Sequence, residues 1–335
     1  MLHSCQLYLT TLCDASCEMC LVKSPKPGTA NHDAVMRNVQ GLARAGVRYV
    51  DLTGGNPLMF EGLPEAIRLA NQFGMISSLT VSGPLISRRG EDIFGLPSQL
   101  QFSIDGTPAF HDANRGAGFY QHIVNGLEMA ATLRPGRKPA KLIFTTLPGH
   151  GGNINIETFR SVLALARRFP NTLVSVNPVF GGQYSPEEER LLRWFGRQAY
   201  VQMSRGKLRF LRQGGNNAKN PFCRATSTSA AITADSKLRL PCYHRAQCEV
   251  PLEEGLANAL ASPERREALK YQGRLPCCEG CSIWCYMMPS IASLHALRFA
   301  FPYQQMMVAG QGIRDSLLRF CGQYWGSFPN CHPMK

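Results

Sequence analysis

Short apolar runs alternate with longer amphipathic stretches over the first 205 residues. QLYLTTL (6–12), VRYVDLT (47–53), MISSLTVS (75–82), LQFSI (100–104), KLIFTTL (141–147) and TLVSVNPV (172–179) are short and rich in β-branched residues, which predicts strands. Between them lie segments such as AVMRNVQGLARAG (34–46) and INIETFRSVLALARRF (154–169), whose apolar residues recur at helical spacing. Six strand-helix units in succession predict an α/β fold with a parallel sheet, rolled as a barrel or left open. In either form a binding site lies at the C-terminal ends of the strands.

Near residue 206 the pattern changes. QGGNNAKNPF (213–222) is polar and rich in Gly and Asn, as a loop between units is. A hairpin is predicted next, SAAITADSKLRLP (229–241) with Asp235 and Ser236 at its turn, followed by a short helix near Pro263 to Tyr271. From Pro289 onward, apolar residues return at helical spacing: Leu294, Leu297 and Phe301, then Ile313, Leu317 and Phe320. Three units are therefore expected, at 1–205, 206–290 and 291–335.

A chain of 335 residues can bury a full core, and 44% hydrophobic against 18% charged residues argue against disorder. The N-terminal MLHSCQLYLTTL lacks a basic region followed by a long apolar core, and no stretch approaches a membrane span, so the expected location is cytoplasmic. The net charge of +13 favours anionic partners by steering. Its basic residues are scattered, however, and no specific nucleic acid is expected as a partner. In a reducing compartment, 13 cysteines grouped in sequence read as metal ligands or reactive thiols rather than a disulfide framework.

Three of them, Cys13, Cys17 and Cys20, fall in LTTLCDASCEMCLVK, directly after the first predicted strand. So short a loop can wrap a compact inorganic core, and thiolates are the ligands of iron-sulfur clusters. Three thiolates on a four-iron cube leave one iron free to chelate the amine and carboxylate of a small molecule. Zinc would need a fourth ligand; Cys5 is nearest, but it shares a strand face with Leu7 and Leu9, which suits the core. Inert buried thiols are the third reading. A second group comprises Cys223, Cys242, Cys248, Cys277, Cys278, Cys281 and Cys285. The C-x2-C spacing of Cys278 and Cys281 is also a zinc-ribbon signature, so a basic, zinc-stabilised binding module is the alternative from another class. Cys321 and Cys331 are expected to be structural.

With its surroundings, the first cysteine loop resembles the radical S-adenosylmethionine (SAM) superfamily, in which C-x3-C-x2-C follows the first strand of a partial (β/α)6 TIM-like barrel. Thr53-Gly54-Gly55-Asn56-Pro57 is similar to the family's Gly-Gly-Glu-Pro segment, and Ser82-Gly83 stands in its Thr-Asn-Gly place. Ser103-Ile104-Asp105-Gly106 resembles Ser-(Leu/Ile)-Asp-Gly, and His111-Asp112 with Arg115-Gly116 resembles the next segment of the peptide-modifying branches. The resemblance implies that Cys13, Cys17 and Cys20 hold a SAM-ligated 4Fe-4S cluster. It further implies that the Gly54–Pro57 backbone receives the SAM amino group, that Arg115 pairs with its carboxylate, and that Ser103 bonds its methionine or ribose part. Asn56 replaces the family's Glu, and Met19 stands where many members carry an aromatic.

Cys223, Cys242, Cys278 and Cys281 resemble the twitch domain, a shortened SPASM domain, which implies a small cysteine-rich α+β unit holding a second, auxiliary 4Fe-4S cluster. Cys277 competes with Cys278. Cys285 and Cys248 are candidate hydrogen-atom donors to a substrate radical. The expected chemistry is reductive SAM cleavage to a 5′-deoxyadenosyl radical, driven by a reductant such as flavodoxin or ferredoxin, and hydrogen abstraction from a peptide or small natural product. Peptide modification, dehydrogenation or epimerisation would result; a sugar, an aminocyclitol or an isoprenoid lipid is the alternative substrate. The apolar run 281–301 predicts a helix over the barrel mouth and leaves membrane-surface or lipid contact open.

Overall fold

All seven residues of β1 (Ser4–Thr10) are buried, the pattern of a strand flanked on both edges and covered on both faces. It pairs in parallel with β2 (Tyr49–Gly54). The sheet then runs in sequence order through β3 (Ile76–Val81), β4 (Gln99–Ser103), β5 (Lys141–Thr146), β6 (Thr172–Val176) and the two-residue β7 (Val201–Gln202). The structure, a computed structural model, describes residues 2–294 apart from Glu18, Leu21, 23–25, Pro27, 134–140, 147–153, 170–171, 178–183 and Ser204. The expected tail beyond 294, with Leu297, Phe301, Ile313, Leu317, Phe320, Cys321 and Cys331, lies outside the described residues.

Helices return the chain between strands: α1 (His32–Arg44), α2 (Leu63–Gln72), α3 (Leu85–Ile93), α4 (Pro108–Arg115), α5 (Phe119–Thr132), α6 (Ile156–Arg167) and α7 (Pro186–Phe195). Parallel strands in sequence order, joined by right-handed crossovers, gather their helices on one face and leave the other to curl around a lumen. The result is an open, partial barrel.

The pleat sorts side chains into two layers. Leu7, Leu52, Leu79 and Leu100 are register partners across four strands and are fully buried in the main core. Phe102 of β4 meets Phe94 edge to face, centroids 5.7 Å apart, an arrangement worth about 0.5–1.5 kcal/mol beyond its buried area. One residue earlier in each strand, Gln6, Asp51, Ser78 and Gln99 are also register partners. They face the opposite way, so the lumen carries a polar ring.

Past α8 (Arg205–Arg212), the expected hairpin forms as β8 (Ser229–Ile232) and β9 (Lys237–Leu240), and β10 (Cys248–Pro251) adds antiparallel to β9. β8 joins the free edge of β1 in parallel, with the Ser4 and Ser229 hydroxyls 3.1 Å apart. The sheet is thus continuous from β10 to β7. α9 (Ala225–Thr228), α10 (Leu256–Ala261), α11 (Pro263–Tyr271) and α12 (Trp284–Leu294) complete the order. α12 buries Tyr286 and Met287 in a cluster with Tyr8, Phe210 and Tyr243, so the start of the apolar 281–301 run is used internally. Among the described residues, no helix is long and apolar enough to cross a membrane.

Candidate active site

The loop that leaves β1 is tied shut at its base. The Gly28 N–H donates to Thr11 Oγ1 at 2.8 Å, and Thr10 Oγ1 donates to the Gly28 carbonyl at 3.0 Å. This holds Cys13, Cys17 and Cys20 at the C-terminal end of the sheet, with Cys13 exposed, Cys17 buried and Cys20 between. Amide N–H groups two residues on face two of the sulfurs, Ala15 to Cys13 at 3.5 Å and Val22 to Cys20 at 3.4 Å. Burial, and then the nearby Asp14, Cys17 and Cys20, push the Cys13 thiol up.

The glycines after β2 seat this loop. A Cβ on Gly54 would stand 2.3 Å from the Thr10 carbonyl oxygen, and one on Gly55 2.0 Å from that of Leu12; no other residue fits so close a backbone approach. The N–H groups of Gly55 and Asn56 donate to those same oxygens at 2.8 and 2.7 Å. Asn56, 2% exposed, donates from Nδ2 to Asp14 Oδ1 at 2.8 Å and to the Ser82 carbonyl at 3.0 Å. A carboxylate in its place would face Asp14 with like charge. Pro57 starts the short buried turn beyond it. Beside it Ser82 Oγ is buried without a partner, and Gly83 turns at φ +77°.

Ser103 ends β4, and Asp105 two residues on is 1% exposed. Arg115 grips it with both arms, Nε to Oδ2 at 2.7 Å and Nη2 to Oδ1 at 3.0 Å, and Asn114 adds 2.6 Å to Oδ2. Burial by itself would raise Asp105; the guanidinium outweighs it and holds the carboxyl below the usual range. So fixed, Arg115 directs Nη1 at Cys17 Sγ, 3.8 Å away. His111 is fully buried and its Nδ1 accepts from the Asp105 N–H at 3.3 Å, while Asp112 accepts from the Gly118 and Tyr120 N–H groups at the start of α5. These two motif residues shape the turn that presents Arg115.

Cys223, Cys242, Cys278 and Cys281 line one cavity, together with Arg245, Gly273 and Tyr286. Cys277 is not among the lining residues. Burial pushes Cys223 and Cys278 up to about 12 and Cys242 to about 11. Backbone N–H groups of Ala225, Arg245 and Ile283 oppose this at Cys223, Cys242 and Cys281. Among the described residues, no group of three or more His, Cys, Asp or Glu is arranged to hold a metal ion; the four thiols share the lining of one cavity. An all-thiol donor set with amide N–H groups aimed at sulfur, around a cavity instead of a single centre, fits an iron-sulfur cluster better than one zinc.

Cys285, the second residue of α12, is half-buried, and its thiol is pushed well up by burial and then by Asp51, Cys242 and Cys281. Cys248 lies in β10 next to Glu249 and Glu264 and packs on the main core. Three features escaped the sequence. Asn216, 1% exposed, donates to the Gly273 and Cys278 carbonyls at 2.8 and 3.1 Å and accepts from the Phe222 and Cys223 N–H groups, both at 2.9 Å. Tyr8 of β1 stacks on Tyr243, ring centroids 3.6 Å apart, and links the lumen to the second cysteine group. Lys207, buried beside the Trp284 ring, donates to Asn177 Oδ1 at 3.2 Å, and burial lowers it to about 7. Only the polar, Asn-rich loop and the tyrosine at an apolar strand position hinted at the first two.

The structure thus sets a three-thiol loop, a glycine seat and a clamped arginine together at the strand ends of a parallel half barrel. Residues 7–157 match the radical SAM superfamily. That region is a radical SAM domain, and the cofactors of the enzyme are a 4Fe-4S cluster and SAM. It is 31% identical over 132 residues to the sporulation killing factor maturation protein SkfB of Bacillus subtilis, covering 37% of this chain and 32% of SkfB. That match spans about a third of the relative's length. A probable GTP 3′,8-cyclase of Archaeoglobus fulgidus is 25% identical over 301 residues, covering 80% of this chain and 96% of the cyclase. Among solved structures, Streptococcus suis SuiB bound to precursor peptide SuiA superposes with a TM-score of 0.64 at 13% identity, over 84% of this chain and 70% of SuiB. At that identity the likeness is one of fold.

Proposed function

We propose that this radical SAM enzyme acts on a peptide, with Cys13, Cys17 and Cys20 holding the SAM-binding cluster and Cys223, Cys242, Cys278 and Cys281 an auxiliary 4Fe-4S cluster. The observation that carries the reading is the cavity shared by those four thiols, joined to the barrel lumen by the Tyr8–Tyr243 stack. When bound and reduced by an external donor such as flavodoxin or ferredoxin, the first cluster supplies the electron that cleaves SAM to a 5′-deoxyadenosyl radical.

The chain's own residues bind and orient. Gly54, Gly55, Asn56 and Pro57 form a shelf for the SAM amino group. Arg115, locked by Asp105, offers its Nη1 side to the carboxylate, and a planar guanidinium suits that task. Ser82, whose hydroxyl has no protein partner, and Ser103 are placed to bond the methionine or ribose part. The lumen keeps water from the reacting carbon. Cys285 borders that lumen and can return a hydrogen atom to a substrate radical, the step that epimerisation needs; Cys248 is the second thiol to test.

A peptide substrate is supported by SkfB, named a maturation protein, and by SuiB, whose structure holds a precursor peptide. A small-molecule substrate is the second reading, favoured by the cyclase match, which spans most of both chains. Anaerobically reconstituted enzyme, reduced with dithionite, should form 5′-deoxyadenosine from SAM, faster when a substrate peptide is added. No cleavage from a fully iron-loaded protein would overturn the radical assignment. Stimulation by GTP but by none of a panel of peptides would move the substrate to the second reading.

A further inference from the structure

The lumen ring contains two buried acceptors without partners. Gln6, 5% exposed, leaves Oε1 unbonded, and Asp51 leaves Oδ1 unbonded. They are direct register partners on adjacent strands, and strands in a sheet lie roughly 4.8 Å apart. Each faces away from the leucine layer, because Cys5, Leu7, Val50 and Leu52, their chain neighbours, are fully buried in the main core. Asp51 is three residues short of Gly54, roughly 10 Å along the strand from the end that seats the cysteine loop.

An orphan acceptor at a buried site costs about 1–3 kcal/mol, and a carboxylate costs more. Asp51 has Ser78 as a hydrogen-bond partner, and burial raises it to about 6. Its titratable surroundings are Tyr49 on its own strand, Cys5 and Tyr8 on β1, and Cys285 on α12, each pushed up by burial and therefore neutral near pH 7. No ion pair to Asp51 forms among the described residues. A chain of net charge +13 thus keeps an uncompensated acid at the bottom of its reaction chamber, where an anionic substrate group would be repelled.

We propose that Asp51 and Gln6 form a substrate subsite for a cationic nitrogen group bearing at least two N–H bonds, an ammonium or a guanidinium. The two orphan oxygens take one N–H each, and Asp51 supplies the countercharge. Gln101, which donates to Ser78 Oγ, fixes the hydroxyl that in turn holds Asp51. This deepens the radical SAM reading and rests on the lumen being the reaction chamber; it says what the target carries, a lysine-like or arginine-like side chain or a free amine.

The test is binding of n-butylguanidinium and n-butylammonium, with n-butanol as the neutral control, to the reconstituted enzyme by saturation-transfer NMR. Either cation should bind at roughly 10 mM or tighter and at least about tenfold better than n-butanol near pH 8. Its affinity should fall about tenfold between about pH 8 and about pH 5, as Asp51 is protonated. Asp51→Asn should abolish both the preference and the pH dependence, and Gln6→Leu should weaken the cation several-fold while keeping the pH dependence. Equal binding of n-butanol, an unchanged preference in Asp51→Asn, or no binding of either cation at about 100 mM would overturn the proposal. Should Asp51→Asn not fold, the wild-type pH titration decides alone. SAM cleavage is read separately: failure there with cation binding intact removes the radical reading and leaves the subsite, and the reverse result removes only the subsite.

Discussion

Cys13 stands exposed at the barrel mouth, whereas Cys223 and Cys278 line a cavity with 8% and 7% of their surface accessible. The first group is held from outside: glycines of β2 press on its backbone, Asn56 ties Asp14, and Arg115 reaches across from Asp105. The second is held from within, where Asn216 gathers Cys223, Gly273 and Cys278 around one amide. In the proposed assignment the difference follows from exchange. A site that took up and released SAM would need an open side and polar groups with spare capacity, such as Ser82. A site that only held metal could close, and ligation there would displace the protons of thiols that burial has raised.

Breaking the Asp105–Arg115 pair should separate the two sites most sharply. Arg115→Ala leaves a buried carboxylate with Asn114, a loss of roughly 3–5 kcal/mol, together with SAM binding. The pH profile should also change sign. In the wild type Asp105 is held below its unfolded value, so the pair's stabilisation is full above about pH 4 and disappears only as pH falls through the lowered value. Without Arg115, burial outweighs the remaining Asn114 bond, Asp105 is raised, and stability falls as pH rises past about 4. Denaturation curves from acid to neutral pH would read this, and parallel profiles would contradict it.

Asn216→Ala should act on the second group only. It strips two N–H groups and two carbonyls of their partner, and at about 1 kcal/mol each the loss is roughly 3–4 kcal/mol. Iron retained at the second site with SAM cleavage lost would reverse the assignment. Asn216→Asp, which keeps the acceptor but not the donors, should fall between. Asn56→Asp is the smallest perturbation: it sets like charges 2.8 Å apart on a partly exposed loop. A cost of about 1–2 kcal/mol, read as a roughly five- to thirtyfold weaker SAM Kd, is expected. Unchanged affinity would show that the tie to Asp14 does not position the loop.

Much of this arrangement is legible in the chain because it is local. The strand-helix alternation sets the parallel sheet, and Cys13, Gly54 and Asp105 each stand at or just after the end of a strand and so meet at the sheet's C-terminal edge, where Arg115 joins them from the end of α4. Asn216 is not legible: its role exists only when residues 223, 273 and 278 come together, and in sequence it is one of several Asn in a polar loop. Asn56 reads as a missing charge until Asp14 is beside it. Asp51 and Gln6 look like ordinary polar positions of alternating strands, since register and the lack of a partner are properties of the sheet. The junction of β8 with β1 links positions more than 220 residues apart and has no local signal.

The central claim, two iron-sulfur sites of which only the open one handles SAM, is tested most directly by iron and sulfide content and 5′-deoxyadenosine formation in two variants. Cys13/Cys17/Cys20→Ala should keep about half of roughly eight irons per chain and lose all SAM cleavage, while Cys278/Cys281→Ala should also keep about half and still cleave SAM. Zinc without sulfide in the wild type, or SAM cleavage surviving in the first variant, would contradict the account.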